Sequence, residues 1–263
     1  MPIVTLTSDF GSQDYYLPML KGAILTQASD IQIIDISHNI KTYDIVQAAY
    51  IFKNAWKSFP KGSIHLISVN NFYQASCEYL LYESDGHYFI APNNGLFSLI
   101  FSDLPEQAYL LPPPTQDASF PLIECYAIGI GKIAKGTPIE EIGEQSANIL
   151  ERITLSPVIS PNQLKGSIIH IDHYGNAIVN IHKQLFEEIR NGRAFQLFFK
   201  RHDAITNLHT NYQEVGVGEL LCLFNHAGYL EIAVNMGKAS TLFGLELEDT
   251  IQIDFSSASK HSK

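Results

Sequence analysis

Positive charge is scarce in this chain. Its 263 residues hold 17 Lys and Arg against 27 Asp and Glu, a net charge of −10. Non-specific nucleic-acid binding needs clustered Lys and Arg. No such cluster occurs, which argues against a nucleic-acid partner. Cysteine is equally sparse. Cys77, Cys125 and Cys222 are odd in number and far apart, so they make neither a disulfide framework nor a metal knuckle. A reduced, cytoplasmic protein is the simple expectation. No apolar run has the length of a membrane span, and no signal-peptide pattern precedes the first strand, so no membrane association is expected. The first turn carries only Gly11, with neither G-x-G-x-x-G nor Walker spacing. No G-x-S-x-G occurs, which argues against a serine hydrolase of that type. Internal repeats and low-complexity segments are missing too.

What is present is a globular composition, 46% hydrophobic and 17% charged, with room for one large domain or two ordinary ones. Strand-like and helix-like segments alternate at first. Ile3–Ser8, Ile31–Ile36 and Ser63–Val69 are β-branched or apolar runs that read as strands. Tyr15–Ala28, Asp44–Lys57 and Ala127–Lys135 read as helices, with a short one at Leu96–Phe101. Tyr79–Glu83 and His87–Ala91 pair around Ser84-Asp85-Gly86. This alternation predicts an α/β domain over 1–148 with a largely parallel sheet. The prolines in Ser156–Pro161 mark a linker or an edge segment, placed at 149–163. Beyond it come short strands separated by turns, with a helical turn or two at Lys183–Asn191. That predicts a smaller antiparallel β-barrel or sandwich over 164–256 and a frayed polar tail at 257–263.

Three stretches carry polar residues where a ligand could sit. The first strand ends in Thr7-Ser8-Asp9-Phe10-Gly11, with Asp14 just beyond. Strand ends that feed helix starts are ligand sites in open α/β sheets. Asp9 or Ser12 could equally cap the helix. The second stretch is His170 to Asn180. Asp172, Tyr174 and Asn176 could hold a purine, or could simply form an Asx-Gly hairpin. His170, Asp172 and His173 have no further ligands at metal-site spacing, so no metal is expected. The third stretch is Phe224 to Gly237, in which Gly228 opens a strand and Gly237 closes it.

Together these stretches resemble one family. The motifs are T-S-D-F-G-x-x-D at Thr7–Asp14, I-x-D-I-S-H-x-I-x-x-x-D-I at Ile33–Ile45 and D-G-x-Y-F-x-x-P-x-N-G at Asp85–Gly95. They continue with A-x-G-x-P-I-E-E-I-G at Ala134–Gly143, I-D-x-Y-G-N-x-I-x-N-I at Ile171–Ile181 and G-Y-L-E-I-A-V-N at Gly228–Asn235. Six in order along nearly the whole chain look like the S-adenosyl-methionine hydroxide adenosyltransferases, relatives of fluorinating and chlorinating enzymes. The resemblance implies an α/β domain followed by a β-barrel domain, and a homotrimer with ligand sites between subunits. It implies displacement of methionine at C5′ by water or hydroxide, giving adenosine, with no metal or other cofactor. Residue by residue, it implies that Asp9 grips the ribose hydroxyls, and that Asp14 and Asp172 lie near the methionine amine. Tyr43 is then a wall by the sugar. Tyr174 and Asn176 serve the adenine, Tyr212 is a second aromatic, and the backbone near Asn235 to Gly237 runs along the adenine.

The chain departs from the family where water is activated. The family's Asp, in a V-D-P-G-V-G turn, falls on Asn70. Its Arg falls near Cys77 or Glu78, and its His, in T-F-H-G-R-D, falls on Pro121. The halide-contacting Ser of the halogenating relatives aligns with Leu122, so a halide site is disfavoured. Tyr73, His87 and Glu124 are the conceivable stand-ins. Three readings follow: a hydrolase that is slow or uses replaced groups, a non-catalytic S-adenosyl-methionine or adenosine binder, or a pocket rebuilt for another nucleoside.

Overall fold

The computed structural model describes residues 1–72, 77–104, 107–113, 120–153, 156–200 and 202–256. Two compact units divide the chain, Met1–Ile153 and Thr154–Lys263.

In the first unit, stiff β-branched side chains suit a pleated backbone. They build β1 (Ile3–Ser8), β2 (Gln32–Ser37) and β3 (Ile64–Ser68). β4 (Tyr79–Ser84) and β5 (His87–Pro92) form a hairpin whose corner residues, Asp85 (φ 52°) and Gly86 (φ 77°), are both left-handed. That geometry matches the right-handed twist of the flanking strands. β6 (Ala108–Leu110) and β7 (Glu144–Ser146) complete a sheet in the order β2-β1-β3-β5-β4-β6-β7. The β1–β2, β1–β3 and β3–β5 pairs are parallel. The β5–β4, β4–β6 and β6–β7 pairs are antiparallel. The sheet is therefore mixed. Its parallel half comes from the strand–helix alternation, and its antiparallel half comes from the hairpin and two strands too short to carry a period.

Helices cover both faces. α1 (Tyr16–Gln27) and α4 (Pro121–Ala134) pack with Val4, Leu6, Ile64 and Leu66 on one side. α2 (Ile45–Lys53) and α3 (Leu96–Ile100) pack with Ile67, Leu80 and Phe89 on the other. α4 starts at Pro121 rather than near Ala127. Proline reads as a breaker, yet its fixed φ and missing N–H suit the first helical turn. α2 stops at Lys53, and Trp56 lies in a separate 3₁₀ turn, Trp56–Ser58.

The second unit is one antiparallel ladder, β11-β14-β9-β10-β13-β12, with β8 added to β9. Its strands are β8 (Val158–Ser160), β9 (Gln163–Ile171), β10 (Ala177–His182), β11 (Phe195–Phe199), β12 (Leu220–Phe224), β13 (Tyr229–Val234) and β14 (Thr250–Phe255). The edge segment expected at Ser156–Pro161 is β8. β9 pairs through its first half with β14 and through its second half with β10, which curls the sheet into a half-barrel. Among the described residues the ladder ends at β11 and β12. Helix α5 (Lys183–Arg190) buries Phe186 against Phe195, Phe224 and Phe255, and α6 (Ala239–Phe243) follows β13.

Candidate functional site

β1 and β3 end in register, Ser8 opposite Ser68, so the turns after them emerge side by side. Past Ser8 the chain bends through Gly11, whose φ of 71° favours glycine. The Gly11 N–H donates to the His38 carbonyl at 2.9 Å. The His38 ring places Nδ1 2.7 Å from the Ser8 hydroxyl. His38 thus holds the turn on both sides, with Asp9 and Phe10 fixed between. Its Nε2 lies 3.1 Å from Asp35 Oδ1, a charge-pair distance without hydrogen-bond alignment.

Asp9 ties three segments together. Its Oδ2 accepts the Tyr43 N–H at 3.0 Å and the Asn70 N–H at 3.2 Å. Both donors are left-handed, Tyr43 at φ 68° and Asn70 at φ 52°. Asparagine tolerates that region; tyrosine rarely enters it. Sparsely populated backbone conformations cluster at active sites and ligand clamps. The capping alternative fails. α1 begins after Tyr15, and no side chain caps it, neither Asp9 nor Ser12. Tyr43 is 70% exposed beside this corner. Asp14 is exposed, and its charge adds to the larger effect of Tyr15 in raising the Tyr16 phenol.

The turn after β3 is built from neutral groups. The Asn94 amide donates to the carbonyls of Val69 and Asn70 at 3.0 and 3.1 Å. Asn71 Oδ1 accepts from the Ser68 hydroxyl at 3.2 Å and from the Tyr126 hydroxyl at 2.6 Å. Burial holds the Tyr126 phenol well above its ordinary range. Phe120, at the start of α4, packs on Phe10, Tyr16 and Phe72. The structure therefore brings Asn70 and the α4 start, where Pro121 stands, to the same end of the sheet as Asp9. Cys77 packs on the edge of the adjoining core. Tyr73 lies outside the described residues. Glu124 is partly buried in the first turn of α4. His87 cannot stand in for the family's base. It opens β5 at the opposite end of the sheet, buried 3.1 Å from His65 and packed on Trp56.

The remaining predicted residues lie in the second unit, around the β9–β10 turn. Asp172 accepts the Asn176 N–H at 2.8 Å and its side-chain amide at 3.0 Å. Asn176 is buried and Tyr174 is 72% exposed. Gly175, at φ 80°, packs so closely on Lys238 that an added Cβ would come within 2.8 Å of that side chain. The Asn235 amide donates to the Val215 carbonyl at 2.8 Å. The Tyr212 hydroxyl donates to Glu231 Oε1 at 2.6 Å. Glu231, at 3% exposure, was not among the residues singled out from sequence. The available signal was one charge inside the apolar run Tyr229–Val234. A cavity of about 640 Å³ between Arg190, Phe195, His209 and Glu214 shares no residue with the predicted set. Hydrogen bonding and strand ends, rather than cavity size, mark the candidate site.

The chain is thus a two-unit protein: an α/β unit with a carboxylate at its strand ends, followed by a curled antiparallel unit with an Asp-x-x-Gly-Asn turn. The pattern described as the SAM hydroxide adenosyltransferase N-terminal domain matches residues 4–143, and that of the C-terminal domain matches residues 166–252. The chain belongs to the SAM hydroxide adenosyltransferase family. It is 28% identical to the (R)-S-adenosyl-L-methionine hydrolase of Methanocaldococcus jannaschii, with 96% of each chain covered. It is 27% identical to the enzyme of that name from Thermus thermophilus, over 92% of this chain and 96% of the other. A fluorinase from Actinopolyspora mzabensis is 24% identical over 93% and 94%. A crystal structure of an uncharacterized conserved protein from Thermotoga maritima shares the fold, with a TM-score of 0.84 at 23% identity over 96% and 99%.

Proposed function

We propose that this protein hydrolyses S-adenosyl-methionine to adenosine and methionine. The observation that carries the reading is Asp9, a carboxylate fixed at the end of β1 by two backbone N–H groups. A carboxylate there suits a ribose diol, since each oxygen accepts separately. Water would attack C5′ as the C5′–S bond breaks with its electron pair going to sulfur. Methionine leaves as a neutral thioether, and the attacking oxygen loses a proton. A sulfonium is a good leaving group, so the reading needs no metal or other cofactor. The acidic residues Asp9, Asp14 and Asp172 suit a cationic ligand. Tyr43, Tyr174, Asn176, Tyr212 and the backbone by Asn235 complete the binding set. The proposal includes a cytoplasmic homotrimer, with a site shared between neighbouring subunits; light scattering tests the trimer.

A second reading has its own observation. Asn70, Cys77 and Pro121 stand where the family places its Asp, Arg and His; an Asn cannot take a proton, and Pro has no side-chain function. General-base help is worth ~10²–10⁴ in rate. Positioning alone still supplies much of an enzyme's gain. The second reading is a binder of adenosine or S-adenosyl-methionine without turnover. Overnight incubation with S-adenosyl-methionine, followed by chromatography for adenosine, separates the two. Adenosine above the protein-free control, abolished by Asp9→Ala, supports hydrolysis. Calorimetric binding without adenosine supports the binder. No heat from either ligand at millimolar concentration ends both.

A further inference from the structure

Between β11 and β12, residues 206–219 run as a strap without a strand of their own. The strap is tied internally. Asn211 Oδ1 accepts the Gln213 N–H at 3.0 Å, and Glu214 Oε1 accepts the Asn211 amide at 3.0 Å. It is pinned to the sheet at several points. The His209 N–H donates to the Cys222 carbonyl at 2.9 Å, and the Gly218 N–H to the Asn235 carbonyl at 2.8 Å. The Asn235 amide takes the Val215 carbonyl. Among these contacts, the Tyr212–Glu231 bond joins a strap side chain to an ionisable group of the core.

Glu231 sits mid-strand on β13, between Ile178 of β10 and Leu223 of β12. A carboxyl in that position is costly unless it is hydrogen-bonded. Burial raises its proton affinity, and Asp172 raises it further; Tyr212 and Asn225 work the other way by hydrogen bonding. Burial likewise raises the Tyr212 phenol, and the charges of Glu231 and Asp172 add to it. The register sets Glu231 opposite Ile178, two residues past Asn176, so the Tyr212 hydroxyl is held at the strand that leaves the Asp172–Asn176 turn. No Lys, Arg or His forms an ion pair with Glu231 among the described residues. An apolar residue would serve the core as well or better at this position. Core stability therefore does not account for a glutamate here, whereas a fixed acceptor for the Tyr212 hydroxyl does. Tyr212 itself is 40% exposed, so its ring presents a face outward from this anchor.

We propose that Glu231 is a positioning residue: by holding the Tyr212 hydroxyl, it fixes the Tyr212 ring as one wall of the adenosyl pocket beside the Asp172 turn. This rests on the nucleoside-binding reading of the site. A ring that is already placed spares the ligand the cost of ordering it, so the effect falls on binding rather than on the chemical step.

The test is adenosine calorimetry on the full-length protein, with KM and kcat from adenosine release where turnover is measurable. Glu231→Leu removes the acceptor, Glu231→Gln keeps one, and Tyr212→Phe removes the hydroxyl but keeps the ring. Glu231→Leu and Tyr212→Phe should each weaken adenosine by roughly tenfold and raise KM in step, with kcat falling less than threefold. Glu231→Gln should stay within about threefold of wild type. The double variant should be no weaker than the worse single one, because both break the same bond. A purely structural glutamate would lower Tm and leave adenosine affinity unmoved; that result overturns the proposal. So does a double variant whose loss equals the product of the two single losses. If Glu231→Leu does not fold, Tyr212→Phe decides alone. Wild-type protein that fails to bind adenosine overturns the underlying reading and this one together. Wild-type binding that every variant preserves overturns only this one.

Discussion

The same two strands, β1 and β3, carry polar side chains in two places, with different outcomes. Mid-strand, the Thr5 hydroxyl lies 2.7 Å from His65 Nδ1, and His65 Nε2 lies 3.1 Å from His87 Nδ1. Phe52, Trp56, Phe59 and Phe89 enclose this chain of bonds. Thr5 Oγ1, both His65 nitrogens and His87 Nδ1 are answered within the chain, and burial disfavours the charged form of both rings. At the strand ends, the polar atoms instead hold backbone corners. Asp9 takes two N–H groups, and Asn94 takes two carbonyls. The ends differ again between the strands. The β1 end keeps a carboxylate, while the β3 end closes on the neutral set Ser68, Asn71 and Tyr126. Polarity inside a sheet is thus structural where it is self-satisfied, and available for binding where it supports a turn. On the proposed reading, the β1 end holds the carboxylate that grips a ligand, and the β3 end presents Asn70 where the family pattern places its Asp.

The largest expected effect tests the mid-strand half of that comparison. Burial, and then the charge of His87, hold His65 down to about 3 from an ordinary 6.5. The folded protein keeps the ring neutral, and the unfolded chain protonates it below 6.5. This contribution to stability is complete above that pH and is lost as pH falls toward 3. The loss runs at up to about 1.4 kcal/mol per pH unit, or roughly 4 kcal/mol across the window. Burial shifts His87 in the same direction. Urea unfolding at pH 7 and pH 4 should show the loss, and His65→Gln should flatten it. An equally steep loss in the variant would mean that His65 is not the group responsible.

Next comes the β1 end. Asp9→Ala removes an acceptor from two left-handed corners and from the ligand. Hydrogen bonds to charged groups are worth about 1.5–3 kcal/mol each, so adenosine affinity should fall at least roughly 100-fold. Asp9→Asn keeps an acceptor for the corners and should lose less. Equal affinity in wild type and Asp9→Ala would break the assignment of this end as the binding half.

Parts of this arrangement were legible in the sequence. β13 spans Tyr229–Val234, as its apolar run indicates, and β1 follows its β-branched run. Asp9 stood out as a charge at a strand end. What it holds could not be read, because its partners lie 34 and 61 residues away and meet it only in the fold. In the antiparallel half of the first sheet, the β4–β5 hairpin was legible from its turn, while β6 and β7 were hidden by their shortness. The helix expected from Ala127 starts six residues earlier, at Pro121, because proline's fixed φ suits the first helical turn. Glu231 was visible as a lone charge in an apolar strand. Its partner Tyr212 comes from a segment with no periodicity, so nothing local joined the two.

A smaller effect sharpens the contrast between the two strand ends. Asn70→Asp restores a carboxylate at the end of β3 without changing the backbone demand, since Asp also tolerates φ 52°. If the missing proton acceptor limits turnover, adenosine release should rise by about tenfold, at the low end of general-base effects because the other family groups remain absent. The new carboxylate would sit near Asp9, so adenosine binding should be measured alongside. Unchanged release with binding retained would show that proton removal is not what separates the two ends.

The smallest effect is expected at Tyr126. It is fully buried, and its hydroxyl donates to Asn71 Oδ1 at 2.6 Å. Tyr126→Phe keeps the packing against Tyr79 and leaves Asn71 with the Ser68 hydroxyl alone. The cost should be about 1–2 kcal/mol in unfolding free energy. Adenosine affinity and turnover should stay within about twofold, because this phenol cannot act as a base near neutral pH. A rate that fell tenfold or more in Tyr126→Phe, at unchanged affinity, would mean that the neutral set under the β3 turn takes part in the chemistry. The division into a gripping end and a passive end would then be wrong.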